Sequence, residues 1–310
     1  MTEWEGVFPL WKEAGMTSHD CVSKARRLFQ MKRVGHTGTL DPDVSGVLPL
    51  CLGRATRIVE YLQELPKIYE AEMTIGYATD TEDASGAVTE QAEAVHVSEE
   101  RIREAVASCV GEIEQTPPMY SAVKIDGRRL YDLAREGITV ERNSRKITIH
   151  RIDIQEIHLD RKYPTVRMTV VCSKGTYIRT LCTDIGRALG YPAVMSALIR
   201  TGSGPIRREQ CVTFGAAEEL KAEGKLGDKV LSISEALSFM PRGEVSPDAV
   251  RVAEQGRKLY ARAVRVDSAD GTIPERDDAL CRLYGGEDRL LGIYRFDSSV
   301  ELYVPVKLFT

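Results

Sequence analysis

No stretch of this chain is apolar for long enough to span a membrane as a helix. The opening residues, MTEWEGVFPLWKEAG, lack the basic segment and the apolar core of a secretory leader. A cytoplasmic location with no membrane partner is therefore expected. The seven cysteines are odd in number and never stand as C-x-x-C, which argues against a zinc ribbon and against a secreted disulfide framework. They are expected to be reduced thiols, mostly buried. His36 has no cysteine or second histidine beside it, so a metal role is not expected for it. There is no internal repeat and no low-complexity segment. Basic charge is also in deficit. The formal net charge is −4, which by itself argues against a nucleic-acid partner.

The charge is unevenly spread, however. Residues 80–104 are rich in acid: Asp80, Glu82, Asp83, Glu90, Glu93, Glu99, Glu100 and Glu104. Basic groups cluster elsewhere, at Lys24, Arg26, Arg27, Lys32 and Arg33, at Lys124, Arg128 and Arg129, at Arg142, Arg145 and Lys146, and at Arg200, Arg207 and Arg208. One such cluster is an ordinary solvated face. Several of them next to glycine-rich loops suit a phosphate-binding surface, with the acidic segment held away from it.

With 310 residues the chain can form one large domain or two unequal ones. Apolar spacing predicts helices over 18–31, with Thr17 and Asp20 as a capping box, and over 54–64, 98–112, 128–136, 178–189 and much of 214–239. Strict alternation predicts a strand in KIYEAEMTIG, with Tyr69, Ala71, Met73 and Ile75 on one face. TVRMTVVC and VMSALIRTGSGP read as further strands. Between Lys146 and Leu159 the isoleucines alternate but change phase twice, after Ile149 and after Ile154, as a long strand with bulges would. MPRGEVSP, residues 240–247, reads as a linker. Short β-like runs beyond it suggest a small barrel. The fold expected is α+β: a large mixed, mainly antiparallel sheet flanked by helices and loops, then a small C-terminal β-barrel.

One run stands out: GHTGTLDPDVSGVLPLCLG. A loop aspartate is ordinarily a turn or cap residue. Here Gly35 and Gly38 permit close backbone approach, Pro42 denies Asp41 a helical backbone, and the apolar run after Gly46 leads into the core. The combination suits a rigid loop that presents one carboxylate. His36 either packs structurally or faces a ligand, and its residue type leaves both open.

GHTGTLDPDVSGVLPLCLGRAT resembles the catalytic motif of the TruB family of pseudouridine synthases. KIYEAEMTIGYATDTEDASG, QTPPMYSAVKIDGRRLYDLAREG and CSKGTYIRTLCTDIG are similar to further family segments, in the family's order, so the likeness spans most of residues 8–205. One departure lies in KEAGMTS: the family usually has Lys-Pro before this glycine, and here Lys12 survives but is followed by Glu13 and Ala14. Only local loop stiffness is expected to differ there.

The resemblance implies isomerisation of uridine 55 in the T-arm of transfer RNA, without metal or cofactor, by a monomer. It makes Asp41 the catalytic carboxylate, attacking base or ribose, and Arg179 its ion-pair partner. It places Tyr69 against the flipped base and makes Tyr177 a second active-site tyrosine. Leu198 becomes a pocket wall and His36 a prop for the RNA loop. Lys12, Lys67, Lys124, Arg128 and Arg129 become substrate-binding cations. Residues 1–240 would form the catalytic domain, with an RNA-binding insertion at about 115–150, and 245–310 a PUA-like module. All these catalytic residues precede the linker, so a chain cut after about residue 240 is expected to keep its chemistry. Two rivals remain. One is a non-catalytic RNA-binding protein. The other is a hydrolase using Asp41 and Asp43, whose spacing gives no reason for them to face each other.

Overall fold

The structure, a computed structural model, describes residues 4–125, 127–267 and 279–309. Its larger sheet has nine strands. Seven lie in the spatial order Gly6–Lys12, Ser45–Leu52, Ala193–Ser203, Lys67–Ile75, Thr165–Cys172, Arg145–His158 and Gly111–Gln115. The short strands Val34–His36 and Ile206–Arg207 pair at the side. All pairings are antiparallel except that of Ala193–Ser203 with Ser45–Leu52, which meet at Ile199↔Ser45 and Arg200↔Gly46. That parallel join sets Arg200 against the loop carrying Asp41. The sheet is thus mixed and mainly antiparallel, as expected.

The alternation of Lys67–Ile75 is physical. Tyr69, Ala71, Met73 and Ile75 are buried while Ile68, Glu70 and Glu72 are half-exposed. In Arg145–His158 the register slips between Ile149 and Arg151 and again between Ile154 and Glu156. Each slip re-aims the side chains that follow, so Ile147, Ile149, Ile152, Ile154 and Ile157 all reach the core. Thr17 and Asp20 do form a capping box, with the Asp20 N–H donating to Thr17 Oγ1 at 3.0 Å and the Thr17 N–H to Asp20 at 2.9 Å. That helix ends at Leu28, because Gln30 turns left-handed with φ 53°. Elsewhere the helical reading ran long. The 98–112 segment is a helix only over Glu99–Ala107, followed by the edge strand Gly111–Gln115. That strand is too short to show a period, and its partner is distant in the chain.

The smaller sheet has six strands, in the order Leu259–Tyr260, Leu302–Leu308, Arg289–Asp297, Leu280–Gly285, Arg242–Val245 and Val264–Asp267. Its two end strands are consecutive in sequence, joined by the turn Ala261–Ala263. The sheet must therefore curl until its ends are neighbours, which makes it barrel-like. The expected linker is in part a strand. A Cβ at Gly243 would meet Leu283 at 2.8 Å and Val264 at 3.0 Å, so this glycine serves close packing. The two sheets also share a core: Ile293 and Phe309 cluster with Val7, Val47, Ile58, Ile233 and Leu237. All seven cysteines are free thiols, six of them buried and Cys211 half-exposed.

Candidate active site

The loop between His36 and Ser45 is clamped from below. Lys12 is fully buried, and its Nζ donates to Val44 O at 2.7 Å, Pro42 O at 2.8 Å and Glu13 O at 3.1 Å. Arg200, 1% exposed, reaches through the parallel join and donates to Val47 O at 2.7 Å, Thr39 O at 3.3 Å and Gly38 O at 3.4 Å. Only glycine fits at Gly46, where φ is 138° and a Cβ would lie 2.3 Å from Arg200 O. The Leu40 N–H donates to Ser18 Oγ at 2.9 Å. Asp41 stands on a backbone with little freedom, its side chain 43% exposed.

Arg179, in the first turn of the helix Ile178–Leu189, is only 4% exposed. It places Nη2 3.1 Å from the Asp41 carboxylate. Its other donors are committed to Thr81 O at 2.9 Å and Tyr120 O at 2.8 Å, and Nε lies 3.9 Å from the Asp83 carboxylate. One guanidinium thus stands between two carboxylates. Asp41 opens to solvent on one side, yet surrounding protein still pushes its pKa up. Arg179 opposes that rise and Asp83 adds to it. The pair is suited to a carboxylate nucleophile whose ionised form its arginine favours.

Tyr69 lies on the central strand, between Val170 and Arg200 in the register. Its ring belongs to the core. Burial pushes its hydroxyl pKa up, Arg200 beside it pulls the other way, and Asp41 adds to the rise, so the hydroxyl end faces the charged site. Tyr177 caps the Arg179 helix, and its backbone is gripped in both directions by the Gln115 amide, at 2.8 Å and 3.0 Å. The His36 Nδ1 accepts from the Gly38 N–H at 3.3 Å, which leaves the neutral ring's proton on Nε2. Burial lowers its pKa, so the imidazole is neutral at pH 7. Leu198 is half-buried on Ala193–Ser203, in register with Ala71.

Four sequence expectations change. Lys12 is no phosphate contact: it is fully buried, and its ammonium is taken up by Pro42 O and Val44 O of the Asp41 loop and by Glu13 O. Lys67 is no phosphate contact either. It is 5% exposed and donates to Gln63 O and Leu65 O, each at 2.6 Å, and to Leu62 O at 3.4 Å, closing the end of the Val59–Glu64 helix. Burial, with Arg200 nearby, brings its pKa down to about 8. Arg200 is likewise a buried clamp and not part of a basic surface. Nor does the acidic stretch lie apart. Asp83 touches Arg179, and Glu82 accepts from Thr180 Oγ1 at 2.6 Å. Burial pushes the Glu82 carboxyl pKa up, against the pull of Thr180 and Arg179. Composition counted these as surface acids, and only the fold shows that the turn over residues 79–86 is pinned to Met195 beside the site. Asp83, Gln115 and Arg200 were missed as site residues. The one available signal was a polar residue bounded by motif positions.

Lys124, Arg128 and Arg129 lie on a hairpin, lining an open cleft of about 580 Å³ with Asp132, Arg135 and Glu136. Arg128 pairs with Glu136 at 2.5 Å, and Arg129 donates to the Tyr131 hydroxyl at 2.6 Å.

Family models match two adjoining segments. Residues 26–178 match the TruB family pseudouridylate synthase N-terminal domain, and residues 179–238 match the tRNA pseudouridylate synthase B C-terminal domain. The chain belongs to the TruB family of pseudouridylate synthases. Proteins named tRNA pseudouridine synthase B are close to it in sequence. One from Bacillus pumilus is 50% identical, with 82% of this chain and 83% of that protein covered. One from Halalkalibacterium halodurans is 44% identical over 98% and 97%. Among solved structures, an H/ACA RNP bound to a substrate RNA containing 2′-deoxyuridine matches with TM-score 0.75 and 26% identity, covering 98% of this chain and 85% of that one. In TruB terms, the site built from Asp41 and Arg179 straddles the junction of the two family models, so neither matched segment holds it alone.

Proposed function

We propose that this chain isomerises uridine 55 in the T-arm of transfer RNA to pseudouridine, with Asp41 as nucleophile. Relatives that span nearly its whole length are named for transfer-RNA pseudouridine synthesis. The observation that carries the finer reading is the Asp41–Arg179 pair, a fixed carboxylate 3.1 Å from a buried guanidinium that also holds Thr81 O and Tyr120 O.

The target base leaves its stack and enters over Tyr69, with Leu198 as a wall. Asp41 forms a covalent bond to the ribose or to the base, the N-glycosidic bond breaks, the captive uracil turns and rejoins through carbon, and the bond to Asp41 breaks to return its carboxylate. Tyr177 handles the proton released at that carbon. His36 presents its Nε2–H to the RNA loop that the base has vacated. The hairpin of Lys124, Arg128 and Arg129 belongs to the RNA-binding insertion, over about residues 115–150, and the C-terminal PUA-like sheet adds a second RNA contact. The enzyme works as a monomer in the cytoplasm.

Incubation with unmodified transfer RNA, followed by mapping, is expected to find pseudouridine at position 55 alone. Binding without any pseudouridine would favour the rival reading, a non-catalytic RNA-binding protein.

A further inference from the structure

Arg145 opens the strand Arg145–His158, opposite Gly111–Gln115. Its neighbours are matched to that strand's acids: Ser144 donates to Glu114 at 3.2 Å and Lys146 to Glu112 at 2.8 Å. Side chains alternate across a sheet, so Arg145 faces the other side, where its register partner is Gln115. Gln115 is 1% exposed, and its amide is committed to the Tyr177 backbone. The Arg145 guanidinium instead lies over the Tyr177 ring, 5.1 Å from its centroid. Its Nε is sealed from solvent with no acceptor, and among the described residues the Arg145 side chain makes no hydrogen bond and no ion pair.

An arginine cannot discard its charge. A half-buried guanidinium, stacked on a ring and with an inner N–H unpaired, is completed by an anion. The pattern recurs nearby. Arg142 Nε and Ser121 Oγ are also sealed and unpaired. Arg142 holds Pro117 O at 3.0 Å, and Tyr120, next to Ser121, gives its carbonyl to Arg179. The helix behind Tyr177 begins with no side-chain cap and no acid in its first turn, so its positive end adds to the same field.

We propose that Arg145 binds a backbone phosphate of the substrate RNA beside the target uridine, with Tyr177 fixing the guanidinium plane. The planar fork suits a phosphodiester. The proposal rests on the reading that RNA is the substrate.

The test uses the full-length protein and a set of stem-loop RNAs carrying the target uridine, each with one phosphate replaced by a neutral methylphosphonate. Wild type is expected to lose roughly tenfold in affinity at one position near the target. Arg145→Gln is expected to bind the unaltered RNA roughly tenfold more weakly and to be indifferent at that position. The slope of log affinity against log salt should fall by roughly 0.7 to 0.9 in Arg145→Gln and stay at the wild-type value in Arg145→Lys, which keeps the charge. Arg101→Gln, on the exposed face of another helix, should change neither. If Arg145→Gln keeps every methylphosphonate loss, the assignment is overturned. It is overturned equally if both Arg145 variants lower the saturating rate with the slope unchanged, which is what a mere prop for Tyr177 would do. A wild type that converts none of the RNAs overturns the underlying reading, and this proposal with it.

Discussion

Asp41 illustrates a site residue held against its own stability. Its folded pKa is raised by burial, so the folded state binds the proton more tightly than the unfolded chain does. The ionised form therefore costs stability above that folded pKa, and the cost fades as pH falls through it. Asp41→Asn is expected to abolish pseudouridine formation while melting, at neutral pH, no lower than wild type. A clear drop in melting temperature would show that Asp41 is a structural ion-pair partner first. With Asp41 as the proposed nucleophile, activity requires the ionised form, so it should be lost on acidification at a higher pH than an ordinary aspartate would set. Asp83 contributes to that rise. In Asp83→Asn the residual activity should persist to lower pH than in wild type. Single-turnover rates across the acid range would show it, and an acid limb moved to higher pH would contradict the arrangement.

At the scale of elements, the site is made by segments that grip one another. The Asp41 loop is held by Lys12 from one strand and by Arg200 from another. Lys12→Met should free the Pro42 and Val44 carbonyls and let the loop drift. The saturating rate is expected to fall by roughly tenfold to a hundredfold, with RNA affinity and its salt slope unchanged. A reduced salt slope would restore Lys12 as a phosphate contact. The sequence disclosed the strands and their bulges because alternation and its interruptions are local. The grip of Lys12 and the edge strand Gly111–Gln115 were not legible, since each depends on a partner more than 25 residues away.

For the whole molecule, the cut after residue 240 expected to spare the chemistry runs through a common core. Ile293 and Phe309 pack with Val7, Val47 and Leu237, Arg282 donates to Ser234 O at 2.9 Å, and Arg54 donates to Phe309 O at 2.7 Å. Removing residues 241–310 would expose that apolar surface and leave those partners empty. The truncated protein is expected to melt at least roughly 10 °C lower or to aggregate. Calorimetry decides the matter, and a truncation with the full-length melting temperature would show the shared core to be dispensable. Charge follows the same logic. A net −4 conceals a turn whose acids serve the active site and an arginine laid over the Tyr177 ring.

The sequence by itself determined the α+β class, the central strand carrying Tyr69, the bulged strand and the barrel-like end, all of which rest on local periodicity. The pairing of Asp41 with Arg179 was expected from the family resemblance alone. Only the tertiary structure decided which charges face solvent. Lys12, Lys67 and Arg200 look like surface cations in the sequence, and Glu82 and Asp83 look like surface acids. The fold buries or half-buries them beside partners that, except for the nearby carbonyls around Lys67, come from distant segments. A charged side chain tolerates burial only where such partners converge, and convergence is a property of the packed sheet, invisible in the order of residues along the chain.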